Sequence, residues 1–173
     1  MTKVIVDNAM LSAFLEMKCT TLLDGLAKKF GWSFDIPSIV KNESMQRSGI
    51  SRRSITYRIK KLGNVIAIDK QRIQSLKARF FKLHEGELEA ISIALDYKES
   101  NRDYMIIFDD DEARRTAKEL GLRMHGTIWI LSRAYKAMII NYVELVYYLE
   151  GLRRVGFWYE DKTVEAVLSD PGF

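Results

Sequence analysis

Short apolar, β-branched runs alternate with segments of helical periodicity along this chain, and several of those runs end in carboxylates. Val4-Ile5-Val6 leads into Asp7, Ile36-Pro37-Ser38-Ile39-Val40 leads to Glu43, and Met105-Ile106-Ile107-Phe108 leads into Asp109-Asp110-Asp111. In His84-Glu85-Gly86-Glu87 further glutamates open an amphipathic segment. Strand–helix alternation predicts an α/β fold with a mostly parallel sheet covered by helices. The carboxyl ends of parallel strands share one edge, and ligands bind in the crevice there. Carboxylates gathered at that edge repel one another unless a cation sits between them, and oxygen ligands of this kind suit Mg²⁺ or Mn²⁺. The pattern points to a metal-dependent nuclease.

The alternation can be followed residue by residue. Val4–Val6 reads as a buried strand and Ala9–Lys18 as a helix, with Met10, Ala13, Phe14 and Met17 at helical spacing. Thr20 or Thr21 is positioned to cap the next helix, which Gly31 stops. Trp32–Ile36 is a second strand, and Pro37-Ser38 starts the helix that carries Glu43. A helix from Ser51 to Leu62, a strand at Val65–Ile68 and a helix from Gln71 to Lys82 follow. Tyr104–Phe108 is the most strand-like run. Helices are expected at Asp111–Leu120, stopped by Gly121, and from Thr127, where Gly126-Thr127 supplies turn and cap. Tyr142–Val155 and Asp161–Leu168 form a closing helical pair split by Gly156. Helical spacing predicts core burial for Met138, Tyr142, Tyr147 and Tyr148.

With 173 residues and no Pro/Gly/Ser-rich linker, the chain is expected to form one domain over 1–173, including a basic helical segment at 41–82 and C-terminal helices at 141–173. The single cysteine, Cys19, excludes an intrachain disulfide and a Cys-based zinc site, and two histidines, His84 and His125, exclude a His-rich one. No apolar run approaches the roughly 20 residues of a membrane span, and a cytoplasmic location is expected. Charge is segregated: Lys41–Lys82 holds twelve Lys or Arg against two Asp or Glu, in a chain whose net charge is only +4. Such a surface suits a polyanion. Arg52, Arg53, Arg58, Lys60 and Lys61 are the expected phosphate contacts, with Tyr57 available for stacking; a solvated, lysine-rich helical face is the plainer alternative.

Each acidic position has a structural explanation beside the functional one. Asp7 could cap the helix that follows. Glu43 could pair with Arg47 one turn on, for only ~0.3–0.5 kcal/mol. Glu87 borders an apolar face but also lies where a helix dipole favours a carboxylate. Glu85 and Glu89, beside it, fit a solvated face better than a ligand role. Capping explains one or two of Asp109-Asp110-Asp111 but not all three. Asp110, with Asp109 next in line, is expected to face the cluster while Asp111 starts the helix.

The order VIVDN, IPSIVKNE, HEGELEAISIAL, IIFDDDEARRTAKELGL and GTIWIL, closing on LRRVGFWYEDKTVEAVL, resembles the PIN-domain family, in the branch with a Gly-Glu helix start and an Asp-Asp strand end. The resemblance implies a three-layer α/β/α fold with extra C-terminal helices. It also implies a Mg²⁺- or Mn²⁺-dependent ribonuclease. Its catalytic carboxylates would be Asp7, Glu43, Glu87 and Asp110, with Asp109 added among the metal ligands and Arg114 at a recurring basic position. Many members are toxins of toxin–antitoxin pairs, so a small antitoxin partner and a homodimer are implied as well. Asn8 departs from a usual Thr or Ser, and Trp129 from a usually small residue. Rival readings are a catalytically inactive RNA- or protein-binding scaffold and a receiver-like, Mg-binding signalling domain, which would need a Lys on a strand after the acidic run.

Overall fold

A computed structural model describes residues 1–46 and 50–169; Arg47, the proposed partner of Glu43, lies outside them. The chain runs β1(Thr2–Val6), α1(Asn8–Glu16), α2(Thr20–Phe30), β2(Trp32–Pro37), α3(Ser38–Gln46), α4(Arg52–Leu62), β3(Gly63–Ile66), α5(Lys70–Arg79), α6(Glu85–Glu99), β4(Tyr104–Ile107), α7(Asp111–Glu119), β5(Met124–His125), α8(Thr127–Lys136), α9(Tyr142–Arg154) and α10(Asp161–Ser169). The five described strands form one sheet in the order β3-β2-β1-β4-β5, and every pairing is parallel.

Two-residue periodicity in the strands divides the core into two layers. Val4, Val6, Phe34, Ile36, Met105 and Ile107 face one side, packed by residues of α1, α2, α4, α8 and α9. Ile5, Tyr104, Ile106 and Phe108 share the other with residues of α5, α6 and α7. Helices therefore cover both faces of an all-parallel sheet, as the alternation predicts, in the three-layer α/β/α arrangement the resemblance implies.

Four local expectations change. The strand expected at Val65–Ile68 begins at Gly63 instead, where the register pairs Gly63 with Phe34 and Ile66 with Pro37. A Cβ at position 63 would stand 1.9 Å from the Phe34 carbonyl oxygen, so the missing side chain of Gly63 is what lets β3 reach β2. The helix expected over Gln71–Lys82 starts one residue earlier, behind the Asp69 cap, and ends at Arg79. The N-cap of α2 is Cys19 rather than a threonine, with no side-chain bond to the helix. Finally, Met138 is 88% exposed in the turn between α8 and α9, at φ 57, and Tyr142 and Tyr147 are exposed because the face of α9 that packs inward is carried by Leu145, Gly151 and Leu152.

Strand β5, two residues long, is an addition. It completes the β4 edge, where Ile106 and Phe108 donate their N–H groups to the Arg123 and His125 carbonyls at 2.9 and 2.8 Å.

Candidate active site

With all strands parallel, Asp7 after β1 and Asp109-Asp110 after β4 emerge at one edge, and α3 leaves the same edge from β2. A cleft of about 310 Å³ opens there, lined by Asp7, Glu43, Glu87 and Asp110 together with Asn8, His84 and Gly86. Four carboxylates from four different parts of the chain thus border one space.

Asp7 is both cap and cleft residue. Its Oδ1 accepts the Met10 N–H at 2.9 Å, and the residue is only 6% exposed. Burial pushes its carboxyl well above the usual range; the charges of Asp109 and Glu87 push the same way, and the amides of Met10 and Asp109 oppose them. The neighbouring Asn8, in place of a hydroxyl residue, accepts from Ser12 Oγ at 2.8 Å and Ser44 Oγ at 3.0 Å, and so ties α1 to the helix carrying Glu43.

Glu43 approaches α6 where that helix has no side chain. A Cβ on Gly86 would meet Val40 Cγ2 at 3.1 Å and Glu43 Oε2 at 3.3 Å. Glu87, half-buried in the first turn of α6, accepts the His84 N–H on Oε2 at 2.8 Å, so the capping explanation is realised as well. Burial raises its carboxyl pKa, as do the charges of Asp110 and Glu43, while His84 works against the shift.

The two aspartates after β4 have distinct surroundings. Asp110 is the N-cap of α7, with Oδ1 accepting from Glu112 N at 2.8 Å and Ala113 N at 2.9 Å, and Asp111 is the first helical residue. Asp109 turns toward α8 instead: Thr127 N reaches Oδ1 at 2.8 Å and Thr127 Oγ1 reaches Oδ2 at 2.6 Å. Burial raises the Asp109 carboxyl pKa, and the two Thr127 bonds and Arg114 restrain it. Arg114 itself donates to the Phe108 carbonyl at 2.9 Å, holding the end of β4. Asp109 borders two grooves beside the four-carboxylate cleft, and Asp110 lines all three.

Among the described residues, no three of these side chains already form a group that could hold a metal ion. The donor set nonetheless fits a hard divalent cation: it is built of carboxylate oxygens from Asp7, Glu43, Glu87 and Asp110 that border one cleft. Gly86 leaves room at the wall where Glu43 stands.

The basic residues divide. Lys60 and Lys61 lie in the last turn of α4, which ends at Leu62 just before β3 begins at Gly63, and so sit at the amino edge of the sheet, opposite the acids. Arg52 and Arg53, both exposed, lie at the other end of that helix, about 12 Å away at 1.5 Å per residue. Arg58 is half-buried, and Lys61 Nζ sits 5.2 Å from the ring centroid of Tyr57.

Two buried carboxylates lay outside the expected set. Glu89, read as solvated, is fully buried; it accepts from Ser38 Oγ at 2.8 Å, Ile39 N at 2.7 Å and Ile68 N at 3.2 Å. It is a strut joining α6, the start of α3 and the segment after β3. Asp35, on β2, is also fully buried and accepts from the Tyr97 hydroxyl at 2.8 Å, with Lys3 Nζ at 3.5 Å. Glu85 is exposed and pairs with Lys77 at 3.2 Å. Trp129 stacks between His125 and Trp32, at 3.8 and 5.8 Å between ring centroids, and lines a groove beside Asp109.

No curated protein matches this chain. A family model does, DUF3368, a PIN domain, over residues 3–172. PIN domains are generally nucleases and typically use divalent metals. The extent of that match places the chain in the PIN-domain family.

Proposed function

We propose that this protein is a Mg²⁺- or Mn²⁺-dependent endoribonuclease whose reaction takes place in the cleft between β1, α3, α6 and α7. The observation that carries the reading is the convergence of Asp7, Glu43, Glu87 and Asp110 on one space at the carboxyl edge of an all-parallel sheet. Asp7 and Asp110 would hold the principal cation, with Asp109 bordering it; Glu43 and Glu87 would hold a second or orient water. A bound divalent cation supplies an acidified water and relief of charge on the phosphate.

The chain's own residues set the rest of the chemistry. Met10 N–H and the first-turn amides of α7 fix the rotamers of Asp7 and Asp110, so these carboxylates are aimed before substrate arrives. Glu87, its carboxyl pKa raised by burial, faces the cleft where it would orient an attacking water. Thr127 locks both oxygens of Asp109, and the Asn8 bonds hold Glu43's helix against α1.

The test is cleavage of a set of labelled RNAs with Mg²⁺ or Mn²⁺ beside Asp7→Asn and Asp110→Asn. Both substitutions keep the capping oxygen. Metal-dependent cleavage lost in both variants supports the reading. Activity that survives Asp7→Asn with metal stoichiometry unchanged would refute it.

A further inference from the structure

The sheet ends on two unlike edges. β5 is two residues long, whereas β3 runs over four residues, Gly63–Ile66, and pairs only with β2. A parallel strand with one neighbour turns the N–H and C=O groups of alternate residues outward. Natural edges are blunted by a lysine, a proline or a bulge. Gly63-Asn64-Val65-Ile66 contains neither residue, and its register with β2 runs through all four positions without a bulge. Asn64 Nδ2 donates to Asp35 Oδ1 at 3.2 Å, and Val65 is 41% exposed.

The charge missing from the strand stands beside it. α4 holds five Lys or Arg and no Asp or Glu, packs on β3, and places Lys60 and Lys61 in its last turn, directly before Gly63. α2 packs on α4 and likewise ends with an exposed pair, Lys28 and Lys29, ahead of the neighbouring strand β2. The helix dipole favours lysine at each of these termini but does not neutralise it. Among the described residues none of the four lysines has a carboxylate partner. On α5, by contrast, Arg72, Lys77 and Arg79 pair with Asp96, Glu85 and Glu119.

We propose that the free edge of β3, together with the lysines at the amino edge of the sheet, is a docking surface for an acidic, extended segment of a partner protein that adds as a strand beside β3. Main-chain groups of the segment would meet the outward groups of β3, the mode by which an exposed sheet edge takes up a peptide. Carboxylates at alternate positions of such a segment recur about every 6.6 Å on one face, so a single strand can set several against Lys60, Lys61 and the field of Lys28 and Lys29. RNA would satisfy the charge but has no ladder of amides to match the strand edge, and this favours a polypeptide. The four-carboxylate cleft opens at the opposite edge, so a partner docked here leaves it open, and the surface does not depend on the nuclease reading.

The test is fluorescence anisotropy of the full chain with a short labelled peptide of alternating Glu and Val. Two further versions are N-methylated at odd or at even positions, and a single-stranded RNA of equal charge is run beside them. The plain peptide should bind, and methylation of one alternate set should abolish binding while methylation of the other spares it. Lys60→Glu with Lys61→Glu should weaken the plain peptide about tenfold or more. The methylated peptides probe the unaltered protein, so the test holds even if the charge-reversed variant folds poorly. Equal binding of all three peptides, binding indifferent to the charge reversal in a folded variant, or no binding at roughly 0.1 M salt would each overturn the proposal. So would RNA that outcompetes the peptide and loses its own binding on the same charge reversal, which would mark the surface as one for nucleic acid.

Discussion

Replacing Glu89 by glutamine leaves the side chain's shape almost unchanged but converts one acceptor into a donor, and the surroundings offer only donors. Oε1 takes Ser38 Oγ and Ile68 N; Oε2 takes Ile39 N. An amide nitrogen at Oε2 opposes the Ile39 N–H. At Oε1 it opposes the Ile68 N–H, although the Ser38 hydroxyl can rotate to accept. The second arrangement is cheaper, since it sacrifices the 3.2 Å bond and keeps the one at 2.7 Å. Losing a hydrogen bond to a charged group and leaving a buried N–H unpaired costs about 2–4 kcal/mol after allowance for no longer burying the charge. For a domain of this size that lowers Tm by roughly 5–15 °C. Thermal and urea unfolding of Glu89→Gln, beside the exposed Glu85→Gln, measures it. A Tm within about 2 °C of the parent's would refute the strut assignment and return Glu89 to the ligand candidates.

Asp7→Asn should move stability the other way when no divalent cation is present. Because burial raises the Asp7, Glu87 and Asp109 pKa values, their favourable contribution is complete below the ordinary carboxyl values of 3.8 and 4.5 and is lost as pH rises through the raised ones. The variant should therefore melt higher than the parent at neutral pH, with the gap closing toward pH 4. Equal Tm values throughout would show that Asp7 carries no such penalty. Added Mg²⁺ should raise the parent's Tm and leave that of Asp7→Asn nearly unchanged, as scanning calorimetry can show. Gly86→Ala puts a methyl 3.3 Å from Glu43 Oε2; cleavage should fall about tenfold while Tm changes little, since the ~1 kcal/mol helix-propensity gain offsets crowding. Undiminished cleavage would mean the Glu43 position is not critical. Lys60→Ala with Lys61→Ala should leave the salt dependence of RNA binding unchanged, whereas Arg52→Ala with Arg53→Ala should flatten the slope by about 0.7 per lost phosphate contact. The reverse pattern would place the RNA on the far edge of the sheet.

The acidic edge was legible because it depends on local signals: an apolar β-branched run, then a carboxylate, then a helical stripe. Asp7 and Asp110 follow that grammar directly and parallel pairing brings them to one edge; Glu43 comes on the helix after β2, and Glu87 is read only from the start of an amphipathic helix that no strand precedes. Strand β5 carried no such signal, being two residues long and formed because β4 needs partners for Ile106 and Phe108. Glu89 stands two residues from Glu87 and four from Glu85, so its local pattern matches a wet helix face; its burial is imposed by Ile39 and Ile68, distant in sequence. The strand start at Gly63 carried no local signal, because the carbonyl that excludes a side chain there belongs to Phe34, distant in sequence.

The Glu89 bonds also bear on how the protein opens. Ile39 begins the helix that carries Glu43, Ile68 follows the strand at the sheet's edge, and α6 brings Glu87, yet one carboxylate terminates both amides. Neither N–H can be released to solvent without stranding charge beneath the other. In hydrogen exchange these amides should therefore share one opening free energy despite belonging to different elements. The unit that breathes would be a knot of three segments, and two carboxylates of the cleft would lose their alignment in the same event.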